Sequence, residues 1–155
     1  MPKEFPVAWD EMHRLSKALA WRLQERAKEH GEWKGIIAVT RGGLIPAGIV
    51  AVEADIRLIE TVSVRSYHDD RSQSSECVIL KEASFAGDGT GWIVIDDLAD
   101  TGNTFRTLRK ILPNAHYACP FVKPQGAPTV DTFLTEVSQD TWILLPWDLE
   151  PAPQK

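Results

Sequence analysis

The segment that most constrains the fold is residues 91–104, GWIVIDDLADTGNT. Its apolar part, residues 92–96, predicts a short buried strand. Two adjacent carboxylates end this strand. A third carboxylate and several small residues follow, before a helix that we expect from about residue 103 to 112. A buried strand that passes through a polar turn into a helix is typical of α/β proteins, which bind ligands where their parallel strands end.

Helix and strand patterns alternate along the rest of the chain. Apolar residues at steps of three and four predict a helix that begins near Trp9 and stops at Gly31. This alternation favours one α/β domain with a mostly parallel sheet flanked by helices. The sequence predicts a second helix at residues 44–54 and further strands at residues 35–40, 56–64, 77–81, 115–123 and 141–145.

Composition and charge narrow the class of protein. The 155 residues suffice for one domain with a substantial core. A formal net charge of −5 argues against a protein that coats nucleic acid. Cys77 and Cys119 lie far apart and in no metal-binding spacing, so we expect free thiols. The first residues lack the apolar core of a signal peptide, and no later stretch is long enough to span a membrane. We therefore expect a soluble cytoplasmic protein.

The turn at residues 96–104 suits a phosphorylated sugar. Where a strand leads into a helix, several backbone N–H groups converge on one point, and the helix dipole adds positive charge. Gly102 allows close approach of the backbone, and the neighbouring threonines add hydroxyl donors. Asp96 and Asp97 can accept hydrogen bonds from sugar hydroxyls or hold Mg²⁺ through its waters. The alternative is that both acids merely end the strand while Asp100 caps the helix.

The same segment resembles the phosphoribosyl-diphosphate (PRPP) signature of type I phosphoribosyltransferases, with Ala99 where a larger aliphatic residue is usual. Further segments resemble the bacterial xanthine-guanine phosphoribosyltransferases, in the same order along the chain. These segments are WKGIIAVTRGGLIPAG from Trp33, SY from Ser66, FVKP from Phe121 and QDTWILLPWD from Gln139.

The resemblance implies a fold and a set of site residues. The fold is that of type I phosphoribosyltransferases, one domain over residues 1–155. A small C-terminal hood at about 123–150 covers the purine, and a flexible lid at about 66–76 closes the site. The implied catalytic residue is Asp100, a general acid or base near purine N7. The implied PRPP contacts are Arg41, Gly42, Arg71, Asp96, Asp97, Asp100, Thr101, Gly102, Asn103 and Thr104, with magnesium on Asp97 or alternatively Asp96.

The resemblance also assigns the purine to residues of the hood, together with Asp100. Lys123 reaches the 6-oxo group, and Trp142 stacks on the base. Ile143 contacts the far edge of the base through its backbone, and Asp148 adds a contact at the 2-position.

Three further features concern the loops and the tail. The family implies a cis peptide between Arg41 and Gly42, which turns a backbone N–H toward the diphosphate. The loop from His68 to Ala86 is longer than in the family, so the basic phosphate contact of this loop is Arg71 or, in another alignment, is replaced by Ser75. The chain also ends early, at LEPAPQK, which affects the cover over the 2-position and a subunit contact.

The implied activity is magnesium-dependent purine salvage. The 5-phosphoribosyl group of PRPP passes to N9 of guanine or xanthine, and more weakly of hypoxanthine, giving GMP or XMP and diphosphate. The implied assembly is a homo-oligomer, a tetramer or a dimer, without a nucleic-acid partner. Loose attachment to the inner membrane is implied by the resemblance only.

Three other functions stay open on the sequence. A phospho-receiver domain also has an acidic pair at a strand end and a lysine before proline. Its acidic pair follows the first strand, however, and only 26 positions separate Asp97 from Lys123 here. A regulator could bind PRPP without turnover. A phosphoribosyltransferase for hypoxanthine, adenine or orotate would share the acidic turn and differ in the hood.

Overall fold

The structure is a computed structural model that describes residues 3–67 and 76–148. Its helices are α1 (Trp9–His30), α2 (Leu44–Glu53) and α3 (Asn103–Arg109). Its strands are β1 (Lys3–Pro6), β2 (Gly35–Thr40), β3 (Ile59–Tyr67), β4 (Glu76–Lys81), β5 (Trp92–Ile95), β6 (Leu98–Ala99), β7 (His116–Val122), β8 (Thr132–Glu136) and β9 (Thr141–Leu144).

The main sheet has the strand order β4-β3-β2-β5-β7-β6, and β8 also pairs with β7. Its pairings are parallel except for β3 with β4. Strands β2 and β5 are direct neighbours, paired from Gly35 with Trp92 to Ala38 with Ile95. Because parallel neighbours end at the same edge of a sheet, the loops after β2 and β5 open on one crevice.

Helices cover both faces of this sheet. Successive strand residues point to opposite faces, so β5 contributes to two separate buried clusters. On one face, Ile93 belongs to a cluster with Leu19 of α1 and Val50 of α2. On the other face, Val94 belongs to a cluster with Phe105 of α3. The predicted α/β architecture is therefore confirmed, and the buried strands fix the positions of the loops at their ends.

A second, two-stranded sheet forms part of the hood, by which we mean β1 together with residues 123–148. Strands β1 and β9 pair in parallel, from Lys3 with Thr141 to Pro6 with Leu144. A third buried cluster joins this small sheet to α1 and β7; its buried members are Val7, Met12, Leu15, Phe121, Ile143 and Leu145. The N-terminal strand thus completes the C-terminal region predicted to cover the purine.

Several boundaries differ from the sequence-based expectation. Strands β1, β6 and β8 were not predicted, and β3 begins at Ile59 rather than at residue 56. Helix α3 ends at Arg109, before the predicted residue 112, because the chain tightens there: Lys110 N–H donates to the carbonyl of Thr107 and Ile111 N–H to that of Leu108. Both cysteines are free thiols, as expected.

Most of the predicted lid, residues 68–75 with Arg71 and Ser75, lies outside the described residues. Within the part that the structure does describe, no helix is both long and apolar enough to cross a bilayer.

Candidate active site

The turn after β2 brings a backbone loop against the acidic pair. Gly43 N–H donates to the carbonyl of Val39 at 2.8 Å, so the chain reverses directly after the strand. A Cβ on Gly42 would overlap the carboxylate of Asp97. Only glycine therefore allows this loop and the loop after β5 to approach so closely.

The cis peptide of this turn lies between Thr40 and Arg41. The prediction of a cis bond between Arg41 and Gly42 is therefore wrong by one residue. The reversal begins at Thr40, the last residue of β2, whose hydroxyl donates to the carbonyl of Val62 on the neighbouring strand.

Asp96 and Asp97 follow β5 as a partly buried carboxylate pair. Asp97 N–H donates to Asp96 Oδ1 at 2.8 Å. Burial raises the pKa of both carboxyls, and the charge of Asp97 raises the pKa of Asp96 further. Among residues 3–67 and 76–148, no Lys, Arg or His nitrogen lies within 4.0 Å of either carboxylate. Such a pair is stabilised by a cation or by hydrogen-bond donors from a ligand.

Residues 101–104 form the turn into α3. Gly102 has a φ of +89° in the left-handed region, which glycine adopts without steric cost. Arg106 fixes this turn from within the helix, because its Nη2 donates to the carbonyl of Thr101 at 2.7 Å and to Asn103 Oδ1 at 2.8 Å. Arg106 thus fixes the shape of this turn, whose residues line a cavity at the end of β5.

The carboxylate of Asp100 is held from two sides. Lys123 Nζ lies 3.1 Å from Oδ2, and Gln139 Nε2 donates to Oδ1 at 2.8 Å. Lys123 is only 5% exposed, which for a lysine requires a partner. It is therefore not the solvated lysine that its place before a proline would suggest. Gly102 is the N-cap of α3, so the alternative role of Asp100 as a helix cap is wrong.

Strand β9 presents one aromatic face to solvent. Trp142 is 49% exposed, whereas Ile143 is buried in the third cluster, which joins the small sheet to α1 and β7. An exposed indole on a fixed strand can stack on a planar base. Asp148 accepts the N–H of Leu145 at 3.0 Å and so closes the turn after β9.

Two cavities open at this edge of the sheet. A cavity of about 240 Å³ is lined by Ser66, Asp96 and residues 98–105. A larger cavity of about 570 Å³ is lined by Arg41, Gly42, Leu44, Ile45, Asp97, Leu145, Trp147 and Asp148. The structure thus brings Asp96 together with residues 100–104, which we call the phosphate turn after the role predicted for it. It also brings Asp97 and Asp148 together with the loop after β2. Lys123, Trp142 and Ile143 line neither of these two cavities.

Arg106 and Gln139 are parts of this site that the sequence reasoning missed. Arg106 follows Asn103 by three residues on a helix, a spacing at which side chains meet, so a local signal existed. Gln139 lies in the segment QDTWILLPWD, but its contact with Asp100 spans 39 positions. No local pattern could have indicated that contact.

Comparison with known proteins agrees with this geometry. The phosphoribosyl transferase domain family matches residues 8–154. The xanthine-guanine phosphoribosyltransferase of Nitratidesulfovibrio vulgaris is 54% identical over 148 residues, which cover 96% of this chain and 86% of that protein. The corresponding protein of Ruegeria sp. is 49% identical over 152 residues, with coverages of 95% and 86%.

A solved structure supports the same assignment. The purine phosphoribosyltransferase from Pyrococcus horikoshii superposes with a TM-score of 0.79 at 26% identity, and the alignment covers 98% of this chain and 99% of the other. The chain belongs to the phosphoribosyltransferase family and, within it, to the xanthine-guanine phosphoribosyltransferases.

Proposed function

We propose that this protein is a purine-salvage enzyme that transfers the 5-phosphoribosyl group of PRPP to N9 of guanine or xanthine, and more weakly of hypoxanthine. The observation that carries the proposal is the ion pair between buried Lys123 and half-exposed Asp100. The ammonium of Lys123 can donate a hydrogen bond to a 6-oxo group, and Asp100 is an acid at the start of the phosphate turn. The products are GMP or XMP and diphosphate.

In this proposal, PRPP occupies both cavities. The backbone N–H groups of residues 101–104 bind the 5′-phosphate in the smaller cavity, where Asp96 accepts hydrogen bonds from ribose hydroxyls. Arg41 and Gly42 bind the diphosphate in the larger cavity, beside Asp97. The contact assigned to Arg71 lies outside the described residues.

The acidic pair also fits magnesium. Mg²⁺ binds one or two carboxylates and completes its shell with waters and substrate phosphates. Asp97 supplies a partly buried carboxylate, and Asp96 lies beside it. Magnesium held by Asp97 and Asp96 would neutralise the charge of the diphosphate.

The purine lies between the hood and the phosphate turn. Lys123 donates to the 6-oxo group, and Trp142 stacks on the ring. The backbone of Ile143 reaches the far edge of the base. Asp148, whose side chain lines the larger cavity, contacts the 2-position.

The reaction breaks the bond between C1 of the ribose and the diphosphate before the new bond is complete, so positive charge develops on the sugar ring. The turn at residues 41–42 holds the departing diphosphate through its backbone amides. N9 of the purine bonds to C1, and Asp100 accepts the proton that the purine loses at N7. A sugar cation reacts readily with water, so the lid at residues 66–76 must close over it.

A single assay tests this function. The purified protein is incubated with PRPP, Mg²⁺ and, in turn, guanine, xanthine, hypoxanthine, adenine, uracil and orotate, and nucleotide and diphosphate are both measured. We expect equal amounts of both products, with guanine and xanthine as the best substrates. PRPP binding without turnover of any base would identify a regulator, and a preference for adenine or orotate would refute the assignment of the base.

We also propose that the enzyme is a homo-oligomer that assembles through α2. Leu44, Gly48 and Val52 lie four residues apart on the exposed side of this helix, and Val52 is 84% exposed. This face carries no charge, and the space around Gly48 is open, so an identical face of a second copy fits it. Val52→Asp should lower the mass measured by light scattering, whereas Leu80→Asp, at an exposed position on β4, should not. An unchanged mass in Val52→Asp would contradict this interface.

A further inference from the structure

We propose that Gln139 is a positioning residue that holds the Asp100 carboxylate in its reactive orientation when Lys123 turns to the purine. This inference rests on the proposed function. It adds to that function a residue that belongs neither to the PRPP signature at residues 91–104 nor to the ion pair of Lys123 and Asp100.

Both the nitrogen and the oxygen of the Gln139 side-chain amide form hydrogen bonds. Its Nε2 donates to Asp100 Oδ1 at 2.8 Å and approaches the Asp100 carbonyl at 3.3 Å. Its Oε1 accepts the backbone N–H of Gln125 at 3.0 Å. The side chain therefore connects three segments: the start of the phosphate turn, the turn that follows Lys123, and the turn between β8 and β9.

Both turns behind Gln139 are themselves fixed. Thr141 N–H donates to the carbonyl of Ser138 at 3.0 Å, and the hydroxyl of Ser138 donates to Asp140 Oδ1 at 2.7 Å. On the other side, Lys123 N–H donates to the carbonyl of Ala99 at 3.0 Å. An amide anchored in this way can impose an orientation on its partner rather than follow it.

Asp100 needs such an anchor because its side chain is 50% exposed. In the free enzyme Lys123 and Gln139 each hold one carboxylate oxygen. Once the ammonium of Lys123 donates to the 6-oxo group, Gln139 is the side chain among residues 3–67 and 76–148 that still donates to this carboxylate. A neutral amide also donates without adding positive charge, so Oδ2 stays available to accept a proton.

The first variant is Gln139→Glu, which also adds a negative charge beside Asp100; the neutral Gln139→Leu controls for that charge. Gln139→Glu keeps the length of the side chain and an oxygen to accept the Gln125 N–H, and it removes the donor to Asp100. The matched comparison is Gln139→Leu against Gln125→Leu. The side chain of Gln125 is exposed, and only its backbone donates to Gln139, so its loss leaves the bridge intact.

We expect kcat to fall roughly 10–100-fold in Gln139→Glu and Gln139→Leu, the cost of a misplaced catalytic group. The KM for PRPP should change by less than about threefold, because PRPP binding is not the step affected. Gln125→Leu should behave as wild type. An unchanged kcat in Gln139→Glu would overturn the inference.

A second measurement separates positioning from general damage. In an Asp100→Asn background, Gln139→Glu should have little further effect, because residues that act as a unit are not additive. The same fold-loss in both backgrounds would show that Gln139 acts elsewhere and would overturn the inference. If Gln139→Leu fails to fold, Gln139→Glu alone decides. Wild-type enzyme that turns over no base would refute the proposed function instead, before any variant is made.

Discussion

The two halves of the site are built in different ways. The PRPP half consists of the loop after β2 and residues 96–104, which follow two neighbouring parallel strands directly. The base half is assembled from segments far apart in the chain, since β1 pairs with β9 and both rest on β7 through the third cluster. In the proposed function, binding of the sugar phosphate therefore depends on local backbone geometry, and the choice of base depends on tertiary contacts.

Asp100 connects the two halves, so its replacement should have the largest effect. Asp100→Asn keeps the volume of the side chain and removes the proton acceptor, and we expect turnover to fall roughly 10²–10⁴-fold. The melting temperature should be affected much less than turnover, because the amide oxygen of asparagine can still accept a hydrogen bond from Lys123.

Asp55→Asn is the matched control for this substitution. Asp55 is far from the site in sequence, its φ of +53° suits asparagine, and its ion pair with Arg57 is highly exposed. Turnover of Asp100→Asn within a few-fold of wild type would remove Asp100 from the mechanism.

Two adjacent glycines separate function from folding within the PRPP half. A Cβ on Gly42 meets the side chain of Asp97, which can move, so Gly42→Ala should fold but lose roughly 10–100-fold in kcat/KM for PRPP. A Cβ on Gly43 meets the carbonyls of Val39 and Ile95, which cannot move without disturbing the sheet. Gly43→Ala should therefore lower the melting temperature much more. Equal melting temperatures in the two variants would contradict this division.

Within the base half, Trp142 should determine how tightly purines bind rather than which purine is preferred. Stacking area is common to all purines, so Trp142→Ala should weaken guanine, xanthine and hypoxanthine together, by roughly 1–3 kcal/mol. The KM values for the bases and for PRPP, measured side by side, test this. If KM rises for only one base, or if the KM for PRPP rises as well, the hood does not act as a separate base site.

The sequence indicated the PRPP half far better than the base half. The strand and turn at residues 92–104 have a local pattern, and their prediction was confirmed in position. Strands β1 and β8 were missed because each is short and is stabilised by pairing with a distant strand. Even within the PRPP half, the cis peptide was placed one residue late, because no pattern of side chains marks the bond itself.

A buried histidine at the opposite edge of the sheet belongs to neither half of the site, and it should affect stability rather than activity. His116 at the start of β7 is buried, its Nε2 lies 2.7 Å from Thr132 Oγ1, and burial lowers its pKa to about 4. The charges of Arg26, Arg109 and His30 lower this pKa further, and Asp131 raises it. The imidazole is thus neutral in the folded protein, where an unfolded chain would bind a proton below about pH 6.5.

Because the unfolded state binds more protons between about pH 6.5 and pH 4, the free energy of unfolding should fall over this range as the pH is lowered. The full loss attributable to His116 is on the order of 3 kcal/mol. Urea denaturation at several pH values measures it. His116→Gln should lose less stability on acidification, while kcat at pH 7.5 stays near that of wild type. An equal acid sensitivity in this variant would exclude His116 as the cause.

The most direct test of the division between the two halves is the selectivity of Lys123→Met. Methionine keeps much of the apolar stem and removes the charge that donates to the 6-oxo group, whereas the 6-amino group of adenine is a poor partner for an ammonium. The measurement is kcat/KM for guanine, xanthine and adenine, with the KM for PRPP recorded in the same assays. The account predicts that guanine and xanthine lose far more than adenine while PRPP binding changes little. An unchanged ratio of guanine to adenine would contradict it, because Lys123 would then not be the residue that recognises the 6-position.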